Sequence, residues 1–315
     1  MTTDRAPAVD TQGLLRYGPG VTVHESAPDR PSPSWSWSAV ADLIRLRNQS
    51  GTWLLMLPSL WALFLANHGF PPPFLLIVFA LGSFTMRSLG VVFNDLADRR
   101  FDRQVARTRT RPLAAGRLTP RQALFVAAGL TLIAAGLVML LPVLTILLSP
   151  IALFLAATYP FSKRWIHTPQ AVLGIAFGWG AIMAWSASRE TIEAPAWWLF
   201  AATICWAVAY DTIYALQDIE DDRRIGVKSS AIFFGQAVPL AVGLCFVGMV
   251  SCLIMAGATA GLGAGYYVTL SVVTAFFVWQ VLELRGAPIP QRAFALFQQH
   301  VYAGAIILLG IWIGA

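Results

Sequence analysis

Charge is what this sequence lacks most. Only 12% of its 315 residues are Asp, Glu, Lys or Arg, while 57% are hydrophobic. A soluble globular chain carries about 25% charged residues, so a water-soluble enzyme is excluded and an integral membrane protein is indicated. Cysteine is nearly absent. Cys205, Cys245 and Cys252 all lie in apolar runs without a CxxC pair, which excludes a disulfide framework and a zinc site. The four histidines, His24, His68, His167 and His300, are scattered singly. Acidic residues number 16 against 22 basic ones, a net charge of +6. The basic residues fall in connections between apolar runs, so an anionic lipid surface and an anionic ligand account for them, and nucleic acid does not.

The apolar runs come next. Residues 1–34 are polar, contain five prolines and show no apolar periodicity, so a disordered N-terminal extension without a signal-peptide core is expected. Residues 35–315 are expected to form the membrane domain. A short amphipathic stretch over 35–47 suits the membrane interface. Nine apolar segments follow, at roughly 50–68, 74–94, 120–140, 143–160, 169–187, 195–217, 234–256, 262–282 and 293–313. The third and fourth are divided only by Pro142, which predicts a tight helical hairpin. The fold class is therefore all-α, with nine transmembrane helices. Of the 22 Lys and Arg residues, 20 fall on one side of this topology, with Arg87 inside a span and Arg189 opposite. By the positive-inside rule the N-terminus and the ends of the second and sixth spans face the cytoplasm.

Seven of the 16 acids are concentrated at two span ends: Asp95, Asp98 and Asp102 after the second span, and Asp218, Glu220, Asp221 and Asp222 after the sixth. Carboxylates beside hydrocarbon cost about 2.5–3.5 kcal/mol each on insertion scales, so they mark function more often than packing. If the second span continues helically, Arg87, Asn94, Asp98 and Asp102 share one face, with Asp95 on its edge. If the sixth continues, Asp211, Tyr214, Asp218 and Asp222 share another, with Asp221 adjoining. Two oxygen-rich faces on one side of the membrane suit Mg²⁺, which joins one or two carboxylates to substrate phosphates. The simpler alternative, interfacial caps paired with nearby arginines, explains one such cluster better than two. The following loop carries Arg107, Arg109 and Arg111, and guanidinium groups match phosphate oxygens bidentately. Lys228 after the second cluster is placed to do the same. Part of this basic set also serves as a positive-inside anchor. Tyr159, at a membrane exit, reads by default as an interfacial belt residue.

Asn94, Asp95, Asp98 and Asp102 resemble the NDxxDxxxD motif of the UbiA superfamily of intramembrane prenyltransferases. Arg107-Thr108 and Arg111-Pro112-Leu113 with Gly116 resemble its RTxxRPLxxG continuation, and Asp218 with Asp222 its second DxxxD motif. Ile225-Gly226-Val227-Lys228-Ser229 and Tyr159-Pro160-Phe161 with Lys163-Arg164 are similar to segments of the superfamily's 4-hydroxybenzoate branch. The resemblance covers roughly residues 40–315. It implies helices around a central cavity with a cytoplasmic cap. It also implies Mg²⁺-dependent transfer of a polyprenyl group from its diphosphate to the ring of 4-hydroxybenzoate in ubiquinone biosynthesis. On that reading Asp98, Asp102, Asp218 and Asp222 are catalytic, and Asp95 and Asp221 join them as metal ligands. Arg87, Asn94, Arg107, Arg111, Tyr159, Lys163, Asp211, Tyr214 and Lys228 bind substrate. Another acceptor on the same fold (haem, naphthoate or chlorophyllide type) and a non-catalytic transporter are the alternatives. The chain departs from the family's RxDKPIG-like stretch, where it has Arg45-Leu46-Arg47-Asn48-Gln49-Ser50-Gly51.

Overall fold

The computed structural model describes residues 16–17, 21–22, 35–226 and 228–315. Arg16–Tyr17 (β1) and Val21–Thr22 (β2) form a two-residue antiparallel pair. The expected disorder of the remaining residues of 1–34 lies outside the described residues. The other elements are helical: α1 (Trp37–Leu43), α2 (Ser50–Ala66), α3 (Pro73–Asp102), α4 (Pro120–Val138), α5 (Val143–Ser162) and α6 (Pro169–Arg189). They continue with α7 (Ala194–Ala215), α8 (Ile219–Ile225), α9 (Ser230–Phe234), a 3₁₀ turn, α10 (Val238–Ala260), α11 (Ala264–Leu284) and α12 (Pro290–Gly314). Among the described residues eight helical runs are long and apolar enough to cross a membrane, and α2, with 17 residues, is the shorter ninth. The chain is a multi-pass membrane protein.

Helix starts follow local chemistry. Proline occupies the first or second position of α3, α4, α6, α7, α10 and α12, where its missing N–H costs nothing. Thr119 adds a full capping box to α4, its hydroxyl accepting from the Gln122 amide while the Gln122 side chain accepts from Thr119 N–H. At 30 residues, α3 is about 45 Å long at ~1.5 Å per residue. The hydrocarbon core is about 30 Å thick, so the last turns of α3 stand clear of it. Those turns carry Asp95, Asp98 and Asp102.

The core centres on α7, which packs against α6, α10, α12 and α2. In lipid, burying apolar area gains little, and helices associate through close packing and interhelical hydrogen bonds. Trp61 Nε1 accordingly donates to Gly304 O at 2.9 Å, and Trp206 Nε1 to His300 Nδ1 at 2.9 Å. A Cβ on Gly304 would fall 2.8 Å from the Trp206 ring, so glycine is what lets α12 approach this closely. A second, smaller cluster joins Leu43 of α1, Leu89 and Val92 of α3, and Leu113, Leu118 and Ala123. It fastens the basic loop 103–118 over the acidic end of α3.

The expected tight hairpin of α4 and α5 is not what forms. The connection is short, but α4 leans on α3 and α5 on α6 and α3, with little packing between the two. Only Ala123 and Ala127 of α4 are buried, and only Thr145, Pro160 and Ser162 of α5. The space between them belongs to a cavity, walled on their sides by Ala134, Ala135, Ala152 and Ala156.

Candidate active site

Two cavities meet at the acidic end of the bundle. The larger, about 890 Å³, follows α3 from Val78 and Phe79 past Gly82, Ser83, Met86 and Arg87 to Asn94 and Asp95. These recur at three- and four-residue intervals and so lie on one helical face. Apart from its acidic end the cavity is walled mainly by aliphatic and aromatic side chains, including Leu137, Leu153, Phe177 and Met183. Arg87 faces it without an ion-pair partner among the described residues.

The smaller cavity, about 190 Å³, is lined by Asn94, Asp98 and Asp102 from α3, by Asp218 and Asp222, and by Arg107, Arg111, Lys163 and Lys228. Asn94, Arg107, Arg111, Tyr159, Asp211 and Tyr214 line both cavities. An apolar chamber and a charged one thus share a single wall.

The charges are cross-linked. Asp95 accepts from Arg45 Nη2 at 2.9 Å on both oxygens and from Arg111 Nη1 at 3.3 Å. Arg111 Nη1 also donates to both Asp102 oxygens, at 3.1 and 3.0 Å. Lys163 Nζ donates to Asp98. Arg107 bridges the two clusters, its Nε and Nη2 donating to Asp218 Oδ1 and Oδ2 at 2.9 and 2.5 Å. Its guanidinium also lies over the Tyr214 ring, 5.3 Å from the centroid. Burial works against the Arg107 charge, but the Asp218 hydrogen bonds and nearby Tyr214 outweigh it and hold the group above its ordinary value. Asp222 has no ion pair among the described residues. Burial, then the like charge of Asp218, push its carboxyl up to about 6.

The structure corrects one premise of the sequence reading. α7 does not continue through the second cluster; it ends at Ala215, and Asp218 is the N-cap residue of α8. The break turns Asp218 and Asp222 toward Asp98 and Asp102, so these four still line one cavity. Asp95 and Asp221 do not join them there. Asp95, 1% exposed, is enclosed by its two arginines, and Asp221 pairs with Arg224 at 3.0 Å. Arg87, Tyr159, Asp211 and Tyr214 line the larger cavity, and Lys228 lines the smaller while donating to Trp165 O at 3.1 Å.

Arg45, noted from sequence only as part of the stretch that departs from the family pattern, anchors Asp95. Two further residues at these cavities were not singled out from sequence. Tyr210, 1% exposed, presents a hydroxyl without a partner, and Gln170 an unpartnered Oε1 beside the smaller cavity. Only Gln170, a polar residue in the first turn of an apolar span, carried a signal that could have found it.

The sequence profile described as "UbiA prenyltransferase family" matches residues 55–302. The chain belongs to the UbiA prenyltransferase family. A relative from Pectobacterium carotovorum subsp. carotovorum, named 4-hydroxybenzoate octaprenyltransferase, is 44% identical over 286 residues, 91% of this chain and 99% of its own. A UbiA homologue from Aeropyrum pernix K1, solved in its apo state, superposes with a TM-score of 0.70 at 27% identity, covering 82% of this chain and 96% of that one. A UbiA homologue from Archaeoglobus fulgidus, solved with DMAPP and Mg²⁺, shares the fold with a TM-score of 0.62 at 16% identity, over 85% of this chain and 99% of that one.

The UbiA-type cavity here suits a hard divalent cation by its donor chemistry. Its acidic residues offer only oxygen ligands, and Asp98 Oδ1 is buried with no partner. Among the described residues no three His, Cys, Asp or Glu side chains gather into a self-sufficient metal cluster.

Proposed function

We propose that this protein transfers a prenyl group from a polyprenyl diphosphate to the ring of 4-hydroxybenzoate, ortho to the hydroxyl, in ubiquinone biosynthesis. The observation that carries this reading is the shared wall between a charged cavity and an apolar one, in a chain whose bacterial relatives bear that activity in their names.

The diphosphate belongs in the smaller cavity, where Arg107, Arg111, Lys163 and Lys228 donate to its oxygens. Asp98, Asp102, Asp218 and Asp222 would hold Mg²⁺, which when bound neutralises the diphosphate as a leaving group. The prenyl tail lies along the apolar face of α3, and its first carbon sits at the shared wall. Cleavage of the allylic C–O bond sends the electron pair out with diphosphate and leaves an allylic cation. The apolar walls keep water from capturing it. Arg87 binds the carboxylate of the aromatic acid, placing the ring beside the cation. The ring carbon ortho to the hydroxyl forms the new C–C bond, and loss of its proton restores aromaticity. The Lys and Arg bias supports a cytoplasmic cap and N-terminus, and the bacterial relatives support an inner-membrane location.

A different acceptor is favoured by one observation. Asn48 and Ser50 line the larger cavity, in the stretch that departs from the family pattern. Membranes containing the protein, incubated with geranyl diphosphate and 4-hydroxybenzoate, should yield the prenylated acid and diphosphate only when Mg²⁺ is present. Product from a competing naphthoate or phenol but not from 4-hydroxybenzoate would replace the acceptor, and no product with any acceptor would overturn the reading.

A further inference from the structure

Gly51 has no evident reason to be glycine on backbone grounds. It sits in the first turn of α2, and its φ is not in the left-handed region, unlike that of Gly69, Gly116, Gly226, Gly235 and Gly261. Alanine is the better helix former at such a position. What occupies the space of the missing side chain is the head of Arg87. A Cβ on Gly51 would overlap Arg87 Nε and fall 2.6 Å from Nη2 and 2.8 Å from Cζ. Both residues line the larger cavity. The guanidinium is the movable partner in that collision, so any β-carbon at position 51 displaces it.

From this contact we infer that Gly51 is a positioning residue for the aromatic acid: its bare backbone is the seat that aims the Arg87 guanidinium at the substrate carboxylate. The inference rests on the proposed acceptor role of Arg87 and adds the element that fixes its direction. Bidentate recognition of a carboxylate depends on the orientation of the guanidinium fork. A displaced fork loses that match while the diphosphate site on the far side of the shared wall is untouched.

The test is steady-state kinetics of Gly51→Ala in membranes, with Arg87→Ala and the double variant alongside. Gly51→Ala should raise KM for 4-hydroxybenzoate about tenfold or more, the scale of a lost charge-assisted hydrogen bond. KM for the prenyl diphosphate and kcat at saturating acid should stay within about twofold of wild type, since no diphosphate contact changes. With the methyl ester of the acid, which has no carboxylate, Gly51→Ala and wild type should match. On the Arg87→Ala background the Gly51 substitution should add nothing. Should Gly51→Ala alone fail to fold, the double variant should restore folding by removing the collision. An unchanged KM for the acid, an equal loss with the ester, a full Gly51 effect on the Arg87→Ala background, or misfolding of both variants would overturn the inference. Wild-type protein that turns over no aromatic acid overturns the acceptor reading itself, and this inference with it.

Discussion

On α3, Asp95, Asp98 and Asp102 ride one uninterrupted helix, whereas Asp218, Asp221 and Asp222 belong to a new helix that starts after α7 has ended. The first set is almost fully enclosed, at 1%, 2% and 7% exposure, and every member has a basic partner. The second set is more open, and Asp222 is left without an ion pair among the described residues. One acidic face is therefore fixed in advance by a rigid helix and a salt-bridge net. The other follows a break in the chain and is tied to the basic loop by Arg107, which reaches across to Asp218, and by Arg224, which donates to Gln104 O at 3.0 Å. Desolvated charges need partners that stay put, and the deeper set has them.

The comparison breaks most sharply if either face works alone. Asp98→Ala and Asp218→Ala are each expected to cut turnover by about 10²–10³-fold or more, the cost of losing a group that stabilises transition-state charge. Prenyl-transfer assays on membranes with equal protein content check this, and substantial activity in either variant would mean that one face suffices. Asp95→Ala leaves Arg45 and Arg111 facing each other without their shared carboxylate. We expect a loss of about 2 kcal/mol, below the range for fully buried pairs because both arginines are partly exposed, read as a lower melting temperature in detergent. Asp222→Asn should raise the Mg²⁺ concentration for half-maximal rate by about tenfold with smaller effect on melting, as expected for a metal ligand that holds no ion pair. Asp221→Ala, which breaks only an exposed pair with Arg224, should change stability by less than about 0.5 kcal/mol. If Asp95→Ala and Asp221→Ala melt alike, the contrast between the faces is wrong.

The spans were legible because lipid enforces a long apolar run for each crossing helix. The four carboxylates on the smaller cavity were legible because their types and grouping are chemically costly unless used. The break between α7 and α8 was legible only in part. Leu216 and Gln217 contain no Pro or Gly to announce it, and the three-and-four spacing runs through them. Yet Asp218 followed by Glu220, Asp221 and Asp222 is also the signature of a helix start, and periodicity concealed it. The divergence of α4 from α5 and the Arg45–Asp95 pair depend on residues far apart in sequence, and no local pattern encodes either.

The continuity of α3 has a metric consequence. Arg87 and Asp98 are eleven residues apart on it, about 16 Å along the axis at ~1.5 Å per residue. A rod fixed at both stations works as a gauge. An acid held at one end and a diphosphate ionised at the other must meet across that interval without help from a hinge, so a single inserted residue would both lift the acids and swing them about 100° off the cavity.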